Sequence, residues 1–205
     1  MQVLERFLDF IFPVGRDALL VRTLNEDDVL THLNPSPITL EGCPGAALLP
    51  YRERSVGALV REAKFKGNRK AHALLACALQ EYLNEFLFDR QEYEERSTVL
   101  VPIPLSKKRY RERGYNQVQE VLSFVSLPLA PRALRRVRDT KAQTSLRKEG
   151  RKKNVEHAFI ASDIDPTYLY IVIDDVLTTG ATLSEAVRAL KSAGARHIVP
   201  IALTH

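Results

Sequence analysis

The side chains best equipped for chemistry crowd into Leu169-Tyr170-Ile171-Val172-Ile173-Asp174-Asp175-Val176-Leu177-Thr178-Thr179-Gly180-Ala181-Thr182-Leu183. An apolar run there meets two carboxylates, then a short Thr/Gly turn, then helix-forming sequence. If the run is a strand of a parallel sheet, the acids lie at its carboxyl edge, where ligands of α/β folds bind. Gly180 lets the backbone approach a ligand closely, and the amides opening the next helix, with the hydroxyls of Thr178, Thr179 and Thr182, make a nest suited to a phosphate. Asp174 and Asp175 cannot serve that phosphate, since like charges repel. They suit hydrogen bonds from sugar hydroxyls of the same molecule. The simpler reading is that Asp175 or Thr178 caps the helix, but a cap needs one such residue and not two acids, three threonines and a glycine. The segment therefore describes a receptor for a sugar phosphate.

The elements that must position this segment follow from periodicity. Thr98 to Ile103, Ala158 to Ile160, Leu169 to Ile173 and His197 to Leu203 read as short strands. Helical spacing is carried by Leu4, Phe7, Leu8 and Ile11; by Val56, Leu59, Val60 and Ala63; by Leu74 to Phe86; by Val118, Val121, Leu122 and Val125; and by Leu183, Ala186, Val187 and Leu190. Strands alternating with helices predict an α/β fold, a parallel sheet flanked by helices. Residues 13–50 lack periodicity and hold Pro35, Pro37, Gly42 and Pro44, so they read as loop with a hairpin near Ile38 to Leu40. We expect an N-terminal appendage over residues 1–50 and the main domain over 51–205. The helix ending in Ala63-Lys64-Phe65-Lys66-Gly67 reads as packing.

Composition narrows the partners. The 205 residues carry 30 Lys+Arg, 25 Asp+Glu and 45% hydrophobic residues, which excludes a disordered or collagen-like chain. Residues 107–153 alone hold fifteen basic and four acidic residues, and such segregation points to a local surface for a polyanion. No apolar run approaches the ~20 residues of a membrane span, and the opening lacks a leader pattern. The expectation is a cytoplasmic protein with no membrane partner. Cys43 and Cys77 stand far apart with no Cys/His set near either, so neither a disulfide framework nor a zinc site is expected.

Ile173 to Thr182 resembles the phosphoribosyl pyrophosphate (PRPP) signature of type I phosphoribosyltransferases. Val101 to Gln117, the spaced set Arg136, Thr140, Gln143, Leu146, Arg151, Asn154, Ala158 and Phe159, and Tyr51 to Gly67 look like the ComF/GntX branch of that group. The resemblance covers roughly the last three quarters of the chain. It implies a type I phosphoribosyltransferase-like fold, with Asp174 and Asp175 on the ribose hydroxyls and Thr178, Thr179, Gly180, Ala181 and Thr182 around the 5-phosphate. It further implies a diphosphate loop, for which Lys107, Arg109, Arg113, Gly114, Asn116 and Gln117 are the candidates, since guanidinium groups match phosphate oxygens two at a time. Residues 132–154, with Arg136, Thr140, Gln143, Arg151 and Asn154, resemble a mobile lid that would exclude water from the reacting sugar.

The implied reaction moves ribose 5-phosphate from PRPP to an unknown nitrogen acceptor, releasing diphosphate. Mg²⁺ would be bound through PRPP, with no direct side-chain ligand. The alternative is a non-catalytic PRPP-binding protein that also binds single-stranded DNA during DNA uptake, its basic segment neutralising phosphates and Tyr110 and Tyr115 stacking on bases. Members of the branch commonly begin with a four-cysteine zinc module, of which only Cys43 remains here, so no zinc is expected.

Overall fold

A computed structural model describes residues 15–89, 96–137 and 157–205. The expected helix at Leu4 to Ile11, and most of the expected lid, including Thr140, Gln143, Arg151 and Asn154, lie outside the described residues.

The chain is α/β. Its five-stranded sheet has the order β1-β2-β7-β6-β3, where β1 is Ser36–Leu40, β2 Cys43–Leu49, β3 Thr98–Pro102, β6 Leu169–Val176 and β7 His197–Thr204. Strands β2, β7, β6 and β3 are parallel, and β1 is the antiparallel exception. Alternation along β6 explains why this run is apolar throughout. Leu169, Ile171 and Ile173 face one helical layer, while Tyr170 and Val172 face the other. The first layer contains α3 (Arg54–Lys66), α4 (Arg69–Phe88) and α6 (Gln117–Leu122); the second contains α7 (Ala181–Ser192), which buries Leu183, Ala186, Val187 and Leu190. The type I phosphoribosyltransferase-like architecture expected from the sequence, a mostly parallel sheet between helices, is the one observed.

Three local readings need correction. The described part of the expected loop, residues 15–50, is not mainly loop: α1 (Arg16–Thr23) and α2 (Glu26–Leu30) precede the hairpin, whose strand β2 pairs in parallel with β7. Both turn residues, Glu41 and Gly42, have positive φ (53° and 75°), the backbone a two-residue hairpin turn requires. Arg188 and Lys191 of α7 hold Glu41 through its carboxylate at 2.8 Å and its carbonyl at 2.7 Å. The sheet pairing of β2 with β7 comes from a partner that a short window cannot contain.

The basic segment after β3 is likewise not an open loop. Lys107–Arg113 forms α5, started by Ser106, whose hydroxyl accepts the Arg109 N–H at 3.2 Å, and ended by Gly114. The segment 132–154, expected as a mobile lid, begins with β4 (Leu134–Arg136), which pairs with β5 (Phe159–Ala161) in a second, two-stranded sheet. Ala133 and Leu134 are buried against α7, so these two apolar residues outweigh the charged ones around them.

Candidate functional site at the carboxyl edge of the sheet

Strand β6 delivers Asp174 and Asp175 to the carboxyl end of the parallel sheet, the residues directly after the buried Ile173. The pairing of Asp174 with Ala202 and of Val176 with Thr204 carries the strand three residues past Ile173. The Thr204 hydroxyl donates to the Asp175 carbonyl at 3.0 Å, and the Leu177 N–H donates to the Thr204 carbonyl at 2.7 Å. These bonds fix the backbone from which both carboxylates project.

The turn that follows opens α7. Gly180 is its N-cap with φ 72°, and a Cβ there would stand 2.9 Å from Leu40 Cδ2 of the hairpin. Both the dihedral and the close approach call for glycine. The Thr179 hydroxyl accepts the Ala181 N–H at 3.5 Å; Thr178 is exposed, and Thr182 lies in the first helical turn. The first amides of α7 have no intrahelical acceptor and carry the positive end of its dipole. The expected phosphate residues thus form one continuous turn beside the two acids.

Helix α5 divides the expected diphosphate residues. Arg109 and Arg113, four residues apart, act on the acid pair: Arg109 lowers the pKa of Asp174, and Asp175 raises that of Arg113. Arg113 Nη1 donates to Gln117 Oε1 at 2.6 Å, and Gln117 Nε2 donates to Asp175 Oδ2 at 2.5 Å. Lys107 lines a different cleft of about 380 Å³, with Tyr110, Arg111, Pro102 and Pro104. Gly114 serves as the left-handed end of α5. Both ends of the Asn116 side chain serve the fold: Nδ2 donates to the Ile103 carbonyl at 3.0 Å, and Oδ1 caps α6 by accepting the Val118 N–H at 3.1 Å. Arg136, on β4, stacks over Phe159 at 5.2 Å and donates to the Pro104 carbonyl at 3.4 Å.

Two site residues were not expected from the sequence. Lys64 Nζ lies 2.8 Å from Asp175 Oδ2, and the exposed ring of Phe65 sits 5.4 Å from the Arg113 guanidinium carbon. Both belong to the Ala63-Lys64-Phe65-Lys66-Gly67 run. Its polar end, out of step with the apolar stripe of α3, was the available signal.

The electrostatics separate the two acids. Burial, and next the charge of Asp175, push the Asp174 carboxyl up to about 7, against the backbone N–H of Asp175 and the charges of Lys64 and Arg109. Partial burial draws the Arg113 pKa down, against the pull of Asp175. The site therefore joins two carboxylates, an amide and hydroxyl turn, and a cluster of three cations at one sheet edge.

No family model matches the chain. It is 31% identical over 106 residues to Competence protein F of Haemophilus influenzae, which covers 48% of this chain and 46% of that protein. It is 32% identical over 148 residues to DNA utilization protein YhgH of Salmonella typhi, covering 67% of this chain and 61% of that protein. The chain thus spans less than two thirds of either relative. Competence protein ComFC of Bacillus subtilis is matched further, at 30% identity over 195 residues, or 90% of this chain and 68% of that protein. An identity of that level over most of both chains places the chain in the ComF family of competence proteins.

Proposed function

We propose that the chain binds PRPP at the carboxyl edge of its sheet and transfers ribose 5-phosphate to a nitrogen acceptor with release of diphosphate. The observation that carries this reading is the continuity of Asp174, Asp175 and the Thr178 to Thr182 turn, faced by Arg109, Arg113 and Lys64. Carboxylates beside an anion-binding turn would repel a phosphate alone but suit a molecule carrying both hydroxyls and phosphates. Asp174 and Asp175 would take the ribose hydroxyls, the α7 turn the 5-phosphate, and Arg109 and Arg113 the departing diphosphate. The bond from C1 to the diphosphate oxygen breaks, the bond from C1 to nitrogen forms, and the cations offset charge gathering on the leaving group.

The donor set fits a magnesium ion that arrives on the ligand's own diphosphate and ribose oxygens: the site's two carboxylates have roles toward hydroxyls, and among the described residues no group of three His, Cys, Asp or Glu comes together. Bound there, the ion would supply further neutralisation of diphosphate charge.

The test is calorimetric titration with PRPP and Mg²⁺, followed by a diphosphate-release assay with a panel of nitrogen heterocycles. Saturable binding that is lost in Asp174→Asn/Asp175→Asn, with release stimulated by one acceptor, supports the enzyme. Absence of PRPP binding sinks it.

A second reading is favoured by the names of the relatives, competence and DNA utilization proteins. In that reading PRPP is bound without transfer, and single-stranded DNA lies on the basic surface that includes Lys107, Lys108 and Arg111, all exposed, with Tyr110 exposed between them. DNA binding that weakens steeply with salt and survives the double Asn variant, with no diphosphate release, would select it.

A further inference from the structure

The end of α3 belongs to neither of the ligand loops, yet the fold clamps it into the site. The Ala63 carbonyl accepts the Tyr115 hydroxyl at 2.8 Å and lies 3.1 Å from His72 Nε2. The Tyr115 and His72 rings meet edge-on at 5.9 Å, and Asn68 Nδ2 donates to Glu62 at 3.1 Å just beyond the helix end. The end of α3 is thus tied to Tyr115 and to α4, and the Lys64 ammonium reaches the oxygen that also accepts Gln117. An exposed Lys–Asp pair carries little weight. Here the side chains are only 23% and 15% exposed, and the acid belongs to the pair on which the ribose site rests.

We propose that Lys64 is a positioning residue for the ribose site: together with Gln117 it occupies Asp175 Oδ2 and holds that carboxylate fixed, leaving Oδ1 and Asp174 to face the ligand. The proposal rests on the sugar-phosphate reading above. Lys64 from α3, Gln117 from α6, Arg113 from α5 and Asp174 on the same strand are the groups set around Asp175, and Arg109 acts on Asp174. Removing Lys64 takes away the Asp175 contact and a charge that lowers the Asp174 pKa, so Asp174 keeps its proton to higher pH.

The experiment compares Lys64→Met, Lys64→Arg, Asp175→Asn and the double variant Lys64→Met/Asp175→Asn. PRPP with Mg²⁺ is titrated from pH 6 to 9, and ligand-free thermal melts are recorded over the same range. Lys64→Met is expected to weaken PRPP binding about 10- to 100-fold at pH 7, with a smaller loss at pH 9. Lys64→Arg recovers most of it. In the Asp175→Asn background, Lys64→Met adds no more than about twofold, because Lys64 acts through Asp175. Wild-type affinity and pH profile in Lys64→Met overturn the proposal, and so does a full loss that persists in the Asp175→Asn background. If the wild type does not bind PRPP, the parent reading fails and the melts decide this one. Lys64→Met must then keep losing stability to higher pH than the wild type does; an unchanged pH window overturns it.

Discussion

Replacing Asp174 by Asn should weaken ligand binding and strengthen the fold at the same time. The folded carboxyl sits near 7, above its ordinary 3.8, because burial and the neighbouring Asp175 oppose its charge. A group raised in this way contributes stability that is fully present below about pH 4 and is lost as pH climbs to about 7, since the folded state binds more protons than the unfolded chain across that window. The slope reaches at most about 1.4 kcal/mol per pH unit. For a chain of this size each kcal/mol moves the melting temperature by roughly 2–4 °C. Asn does not titrate, so the variant's melting temperature should gain on the wild type by about 3–6 °C per pH unit between pH 4 and 7, and hold that lead above it. On the proposed function, PRPP affinity should instead fall by about 1.5–3 kcal/mol at pH 8, where the wild-type acid is charged and would accept a ribose hydroxyl. Thermal melts at half-unit pH steps, alongside calorimetric titration, read both effects. Parallel stability curves from pH 4 to 8 would refute the electrostatic account of the site, whatever the binding result.

Asn116→Ala should destabilise the protein by about 1–2 kcal/mol in a denaturant melt, through the lost cap of α6, and leave PRPP affinity within a few-fold once the protein is folded; the reverse pattern would make Asn116 a ligand contact. Gly180→Ala forces a left-handed alanine against Leu40 and should cost about 1–2 kcal/mol, with a larger proportional loss of PRPP binding; an unchanged melt and affinity would remove the turn from the site. Purified protein should carry no stoichiometric zinc by elemental analysis, since Cys43 is buried in β2 and, among the described residues, no group of three His, Cys, Asp or Glu could hold a metal ion; one zinc per chain would contradict this.

The strand-turn-helix layout of residues 169–183 was legible because all its parts are local. A strand buried on both faces must be continuously apolar, and the two acids end that pattern a few residues before the glycine that opens the helix. The same locality made α3, α4 and α7 readable from their stripes. What the sequence could not decide was which distant groups meet there. Strand β2 reads as loop in isolation because Gly45 and Pro44 mask it, and only its pairing with β7 makes it a strand. Helix α5 has no buried residue, so its basic run carries no periodicity to separate Arg109 and Arg113, near the acids, from Lys107, which lines another cleft. Lys64 precedes Asp175 by more than a hundred residues, and a single strand order with one helix crossing brings their side chains to 2.8 Å. Local sequence determines what each segment can bind because hydrogen-bonding and charge are properties of side chains. The layer packing determines which segments act together, because burial of the two apolar faces of the sheet settles where every helix end must fall.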